Sequence, residues 1–258
     1  METTREGVHI VRPPRRRRNG RESAADLVER LKPSAVRVRL DSAPDPAHED
    51  QVTPTTLGFA SGFFVTKDGY IATNAHVAED ETVRYVVTLS DGKEMDASVA
   101  YREQEGVDFA LLKVKVENAP AVQYEKLSQI RPGERVIAFG QPLALGQQIT
   151  VGDGIISSVP WEEKMSPASS KDALTITGAF ITTTVPLHRG SSGGPMFDMR
   201  GKLVGMNNAT THEVDIQSRA GSIGLVIPAD EVAWLTARAL RAVNDNNRTA
   251  ARESKHAA

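Results

Sequence analysis

Three short stretches, far apart in the chain, carry the side chains best suited to covalent chemistry. Gly190-Ser191-Ser192-Gly193-Gly194-Pro195 sets a serine between glycines and opens onto the apolar pair Met196-Phe197. A backbone free of Cβ atoms can bend sharply there, exposing a hydroxyl and turning N–H groups toward a developing oxyanion. Ala72-Thr73-Asn74-Ala75-His76-Val77 brings a histidine to the end of a predicted strand. Its imidazole can accept and return a proton near neutral pH. Val107-Asp108-Phe109-Ala110-Leu111-Leu112 places one carboxylate at the mouth of a buried strand, where its charge needs a partner. Alone, each has a plain structural explanation: a Gly/Ser loop, a satisfied histidine, a strand-end turn. Together they supply a hydroxyl, a base and a carboxylate, the makings of nucleophilic acyl transfer.

Chain order separates two versions of that chemistry. The serine run also satisfies G-x-S-x-G, the elbow of α/β-hydrolases, whose order is serine, acid, histidine on alternating strands and helices. After Ser192 the histidines are His212, in a turn-rich segment, and His256, near the end, with no such alternation around them. That version fails. His76, Asp108, Ser192 is the order of the chymotrypsin-type triad.

The elements that must position these residues are mostly strands. Short β-branched runs at Ala35–Leu40, Gly58–Thr66, Tyr70–Val77, Thr82–Ser90, Lys93–Tyr101 and Phe109–Val116 form a first set. A second set comprises Glu134–Phe139, Gln147–Val159, Ala179–Val185, Pro195–Asp198, Lys202–Asn208 and Ser222–Ile227. Asp68-Gly69 and Asp91-Gly92 lie between paired runs and signal hairpins. Strands with turns at regular spacing belong to sandwiches and barrels rather than to βαβ units. The expected fold is therefore all-β: a first antiparallel barrel over about 35–117, a linker over about 118–132 and a second barrel over about 133–228. One helix is signalled at Ser23, where Asp26 completes a capping box and Pro33 ends it. A second, over 229–243, follows Pro228 with Val232, Leu235, Ala239, Leu240 and Val243 on one face. Residues 161–171 read as an exposed loop, and 244–258 as a polar, frayed tail.

Composition excludes several other classes. The 258 residues are 40% hydrophobic and 25% charged, enough for a sizeable core, and contain no cysteine. A disulfide-stapled scaffold, a thiolate metal site and a cysteine nucleophile are ruled out. No apolar run is long enough for a transmembrane segment. The start lacks the apolar stretch of a secretory signal, so the expected location is cytoplasmic, or another compartment if a leader was removed. The net charge of −2 conceals a basic arm: residues 1–21 hold seven arginines against Glu2 and Glu6. Residues 1–22 are expected to be disordered. The run Arg12–Arg21 suits nucleic acid or an anionic surface, but no aromatic accompanies it for stacking, and a solvated tail is the favoured reading.

The chain resembles an HtrA/Deg-type trypsin-like serine protease from about Ser23 to Val243. The likeness rests on SAADLVERLKPSAVRV, SGFFVTKDGYIATNAHV, VDFALLKV, GERVIAFGQPLALGQ, GSSGGPMFDMRGKLVGMN and GSIGLVIPADEV. It implies two antiparallel barrels with an N-terminal and a C-terminal helix, no cofactor and no metal. It also implies Ser192 as nucleophile, His76 as base, Asp108 as its orienting partner, and an oxyanion hole from the N–H groups of Gly190 and Ser192. Substrate would be an unfolded or extended polypeptide added as a strand against Gly221–Ile227, with a pocket near Pro186, Leu187, Gly224 and Leu225. Pro186 stands where an acidic residue would select Lys or Arg, so small or medium apolar side chains are expected. The chain departs from the usual pattern at Ser191, at His188-Arg189 and near Thr184, where such proteins carry Asn, Asn-Pro and often Asp. The missing proline removes a φ restraint just before the oxyanion loop. Most such proteins continue into a PDZ domain, which this sequence does not include. Homotrimers are common among them and often use aromatics ahead of the barrel, but no Phe, Tyr or Trp precedes Phe59. The competing class is a peptide-binding or chaperone-like module on the same fold, with little or no turnover.

Overall fold

A computed structural model describes residues 22–42, 55–80, 82–104, 106–141, 149–160, 179–210 and 223–256. The arginine arm through residue 21, the 161–171 loop, His212 and Gly221-Ser222 lie outside the described residues.

The described strands close into two six-stranded antiparallel barrels. The first contains β1 (Ala35–Asp41), β2 (Thr56–Phe64), β3 (Tyr70–Thr73), β4 (Arg84–Thr88), β5 (Glu94–Arg102) and β6 (Ala110–Lys113), hydrogen-bonded in the order β1-β2-β3-β6-β5-β4. The second contains β7 (Arg135–Gly140), β8 (Thr150–Ser158), β9 (Ile181–Thr183), β10 (Pro195–Asp198), β11 (Leu203–Thr210) and β12 (Gly224–Pro228), ordered β10-β11-β12-β9-β8-β7. Gly69 and Gly92 have φ of +96° and +88° in the β2–β3 and β4–β5 turns, the conformation their Asp-Gly pairs predict.

Each barrel has its own interior. Val36, Val38, Phe64, Ile71, Val87 and Leu112 fill the first, and Val136, Ile156, Ile181, Met196, Val204 and Val226 the second. A third cluster joins them through Phe63, Phe109 and Leu111 from one side and Ile137, Phe139 and Phe197 from the other. The Phe139 and Phe197 rings meet edge to face, with centroids 5.7 Å apart. Leu27 and Leu31 of α1 (Ala24–Leu31) and Val232, Leu235 and Ala239 of α2 (Ala229–His256) cap this seam. The leucines and Val232 each contribute roughly 1.5–3 kcal/mol by leaving water, and the Ala239 methyl less. The α1 capping box forms as its sequence requires: Ser23 Oγ accepts from the Asp26 N–H, and the Asp26 carboxylate accepts from the Ser23 N–H.

Two elements differ from expectation. The strand expected through Val77 stops at Thr73, and residues Ala75–Ala78 turn into one short 3-10 segment. The second helix does not end at Val243. It runs to His256, so the polar stretch expected to fray continues as helix.

Candidate active site

The end of β3 and the start of β6 are antiparallel neighbours, with Thr73 opposite Ala110. This register brings the residues just past β3 against those just before β6. Asp108 uses both carboxylate oxygens on His76: Oδ1 accepts the backbone N–H at 2.9 Å, and Oδ2 lies 2.6 Å from Nδ1. The 3-10 turn makes this double grip geometrically natural, because it folds the His76 backbone and ring toward the same side. A carboxylate at Nδ1 places the ring proton there and gives Nε2 the lone pair that can act as the base. Asn74, fully buried, donates from Nδ2 to the Asp108 carbonyl at 2.9 Å and fixes the carboxylate's backbone.

Ser192 comes from the second barrel, in the turn leading into β10. Its Oγ donates to the Asn208 carbonyl at 3.0 Å. A hydroxyl has one proton, so while Ser192 donates to Asn208 it does not donate to His76, and that proton must be redirected before the base can take it. The surrounding turn is well specified. The Ser191 N–H donates to His188 O at 2.8 Å, Gly194 N–H to Ser191 O at 3.0 Å, and Gly193 N–H to Asn207 O at 2.9 Å. Gly190 and Gly193 have φ of +93° and +80°. A Cβ on Gly190 would stand 1.9 Å from Gln141 O, so glycine is required there by space as well as by conformation. Among the described residues no acceptor takes the N–H of Gly190 or Ser192, the two groups expected to bind an oxyanion.

The expected specificity residues divide. Leu187 is buried and lies against Gly224, where a Cβ would meet Leu187 Cδ1 at 2.9 Å. Leu225 is partly buried beside them, and Pro186 is exposed. His188 and Arg189 are exposed beside the serine turn. The expected strand addition against Gly221–Ile227 needs correction over its described part. Gly224 and Leu225 already pair on both edges, with Thr210 and Ala209 of β11 and with Thr183 and Thr182 of β9. An open edge lies instead along Asn208–Thr210: Ala209 and Thr210 pair with β12 on one side, Asn208 is skipped at a register shift, and among the described residues no strand pairs with the stretch on its other side, where the Asn208 carbonyl accepts from Ser192 Oγ. Sequence reasoning also gave no role to Asn74, Asn208 or Ser61, although Asn74 and Ser61 lie inside the stretches that drew attention. Among the described residues no group of acidic and histidine side chains could hold a metal ion.

Two closed antiparallel barrels, with a His–Asp pair on one and a glycine-flanked serine on the other, define a trypsin-like peptidase fold and site. The family model described as trypsin-like peptidase domain matches residues 60–206. The chain belongs to the trypsin-like peptidase family, and its relatives are HtrA/DegP serine proteases. It is 37% identical over 177 residues to a probable periplasmic serine endoprotease DegP-like of Bartonella henselae, covering 67% of this chain and 31% of that protein. It is 32% identical over 235 residues to the mitochondrial serine protease HTRA2 of Drosophila willistoni, covering 90% of this chain and 50% of that one. It thus spans between 31% and 50% of these relatives' lengths. Among solved structures, the HtrA-type protease AlgW with tripeptide superimposes with a TM-score of 0.62 at 28% identity, over 81% of this chain and 60% of that one. Among the described residues, no helix is long and apolar enough to cross a membrane.

Proposed function

We propose that this protein is a serine endopeptidase that hydrolyses peptide bonds in unfolded or extended polypeptides through an acyl-enzyme. The observation that carries this reading is the double grip of Asp108 on His76, combined with a glycine-bounded Ser192 turn whose two N–H groups meet no acceptor among the described residues. In the proposed reaction Ser192 Oγ rotates off the Asn208 carbonyl toward His76 Nε2, gives up its proton there and attacks the scissile carbonyl carbon. The oxygen of that carbonyl takes the negative charge between Gly190 N–H and Ser192 N–H, each such donor contributing roughly 3–4 kcal/mol. His76, now protonated, returns the proton to the leaving amine, and water repeats the sequence to release the acyl group. Asp108 stabilises the imidazolium throughout.

The substrate backbone adds as a strand to Asn208–Thr210, which supplies main-chain hydrogen bonds next to the nucleophile. Leu187, Gly224 and Leu225 present no charge, in keeping with small or medium apolar side chains at the cleaved position. The DegP-like relatives named as periplasmic support that compartment over the cytoplasmic one, and fractionation of native cells checks it. A fluorophosphonate probe should label the wild-type protein covalently, and Ser192→Ala should abolish both labelling and casein cleavage. Labelling that survives the substitution overturns the assignment of the nucleophile.

A further inference from the structure

Ser61 lies in the middle of β2, on the first barrel, 1% exposed and remote in sequence from the serine turn. Yet all its polar atoms are engaged at that turn or at its supports. Ser61 Oγ donates to Gly190 O at 2.7 Å and accepts from Gln141 N–H at 3.0 Å. The Ser61 N–H donates to Ser192 O at 2.9 Å. Its carbonyl accepts from Thr73 Oγ1 at 2.8 Å, which ties it to the end of β3 just ahead of His76. Gly190, Ser192 and Gln141 all belong to the second barrel, so one residue of the first barrel holds both ends of the oxyanion turn.

The geometry points to Ser61 as the positioning residue of the oxyanion hole, an inference that rests on the endopeptidase reading above. The argument concerns which way peptide groups face. Gly190 and Ser192 are the residues whose N–H groups must point at the substrate, and they are the two whose carbonyls Ser61 holds. Fixing a residue's carbonyl fixes its ψ, since the peptide is planar, and leaves its N–H only the rotation about φ. Ser192 loses that freedom as well, because its N–H shares a peptide plane with Ser191 O, held by Gly194. At Gly190 the restraint matters more: glycine has access to both signs of φ, and the neighbouring position carries Arg189 rather than a ring-restrained proline. The second bond on Gly190 O, from Gln141 N–H at 3.2 Å, is longer than the one from Ser61. Without the hydroxyl, Gln141 N–H and Gly190 O would be left to each other at that longer distance. Ser61 touches neither substrate nor His76 in this arrangement; it acts through the turn.

The test separates positioning from packing by comparing Ser61→Ala with Ser61→Cys, which fills the same space but offers a weak S–H donor. Peptide cleavage is measured together with the affinities of a peptide aldehyde, which forms a tetrahedral adduct, and of the matching alcohol, which does not. In both variants kcat should fall by about ten- to a hundredfold, less than or equal to the loss of a whole oxyanion donor, with KM little changed. Aldehyde affinity should fall by the same factor as kcat, while alcohol affinity holds. Wild-type kcat in either variant overturns the inference. So does an equal loss of aldehyde and alcohol affinity, or a Ser61→Cys protein that matches wild type where Ser61→Ala fails to fold. Wild-type protein that neither cleaves peptide nor reacts with the aldehyde would instead sink the endopeptidase reading itself.

Discussion

At the scale of single residues, the site depends on where a few protons are held. Asp108 engages two N–H groups of His76 at once, so its loss would release both the ring tautomer and the turn that carries it. Asp108→Asn keeps the shape but offers the ring an amide that can present its N–H side to Nδ1. The expected outcome is a fall in kcat of about 10³–10⁴-fold with the melting temperature nearly unchanged, read from peptide hydrolysis and thermal unfolding. A variant within tenfold of wild type would mean that His76 is oriented by something other than this carboxylate. The candidate residues His76, Asp108 and Ser192 stood out in the sequence because their types are restrictive and their order discriminates between folds. Ser61 was not, because a serine in a strand has no distinctive sequence signal. Its importance comes from partners separated from it by 129 and 80 positions.

At the scale of elements, the strands were legible because short β-branched runs and the turn signals between them, such as Asp-Gly, act locally, and every expected strand overlaps a strand in the structure. Their ends were less so. The run Tyr70–Val77 reads as a single strand, but the 3-10 turn at Ala75–Ala78 is four residues long and too short to show a periodicity of its own. Conversely, α2 continues over residues whose sequence shows no apolar stripe beyond Val243. The serine turn illustrates how tightly elements constrain each other. A Cβ on Gly193 would stand 2.3 Å from Ser61 O and 2.4 Å from Thr73 Oγ1, at a φ of +80°. Both strands of the first barrel would have to move. Gly193→Ala should therefore destabilise the protein by about 3 kcal/mol or more, measured by denaturant unfolding, and should reduce activity along with stability. An unchanged denaturation midpoint would show that the two barrels meet less closely at this turn.

At the scale of the whole molecule, both helices brace the seam between barrels. Arg30 of α1 donates to the carbonyl of Arg200 in the second barrel, and Arg238 of α2 pairs with Glu103 in the first. One group in this bracing works against it. Burial in the first turn of α2 pushes the Glu231 carboxyl above the usual carboxylate range. Its charged form is thus less favourable in the folded chain than in the unfolded one. Below the unfolded value, near about 4.3, the group is protonated in both states and exerts no penalty; stability falls as pH rises through the folded value. Because Glu231 remains partly exposed, the effect is modest. Glu231→Gln should raise the melting temperature by about 1–2 °C at pH 7, and the gain should vanish near pH 4. A gain that persists at low pH would assign the effect to helix propensity instead of charge.

The clamp from β2 to the serine turn also sets a timetable. During synthesis the first barrel can close, with His76 and Asp108 already in register, long before Ser192 has left the ribosome. The turn then gains its shape only when β10 has found its place between β7 and β11 and has docked against Ser61. Contacts so distant along the chain form late, after the loop between them has been closed at an entropic cost. A chain still being made, or one with its barrels undocked, therefore holds the parts of a blade with no edge. On the proposed endopeptidase reading, an unfinished or undocked copy cannot cut, and cutting ability arrives together with the completed fold.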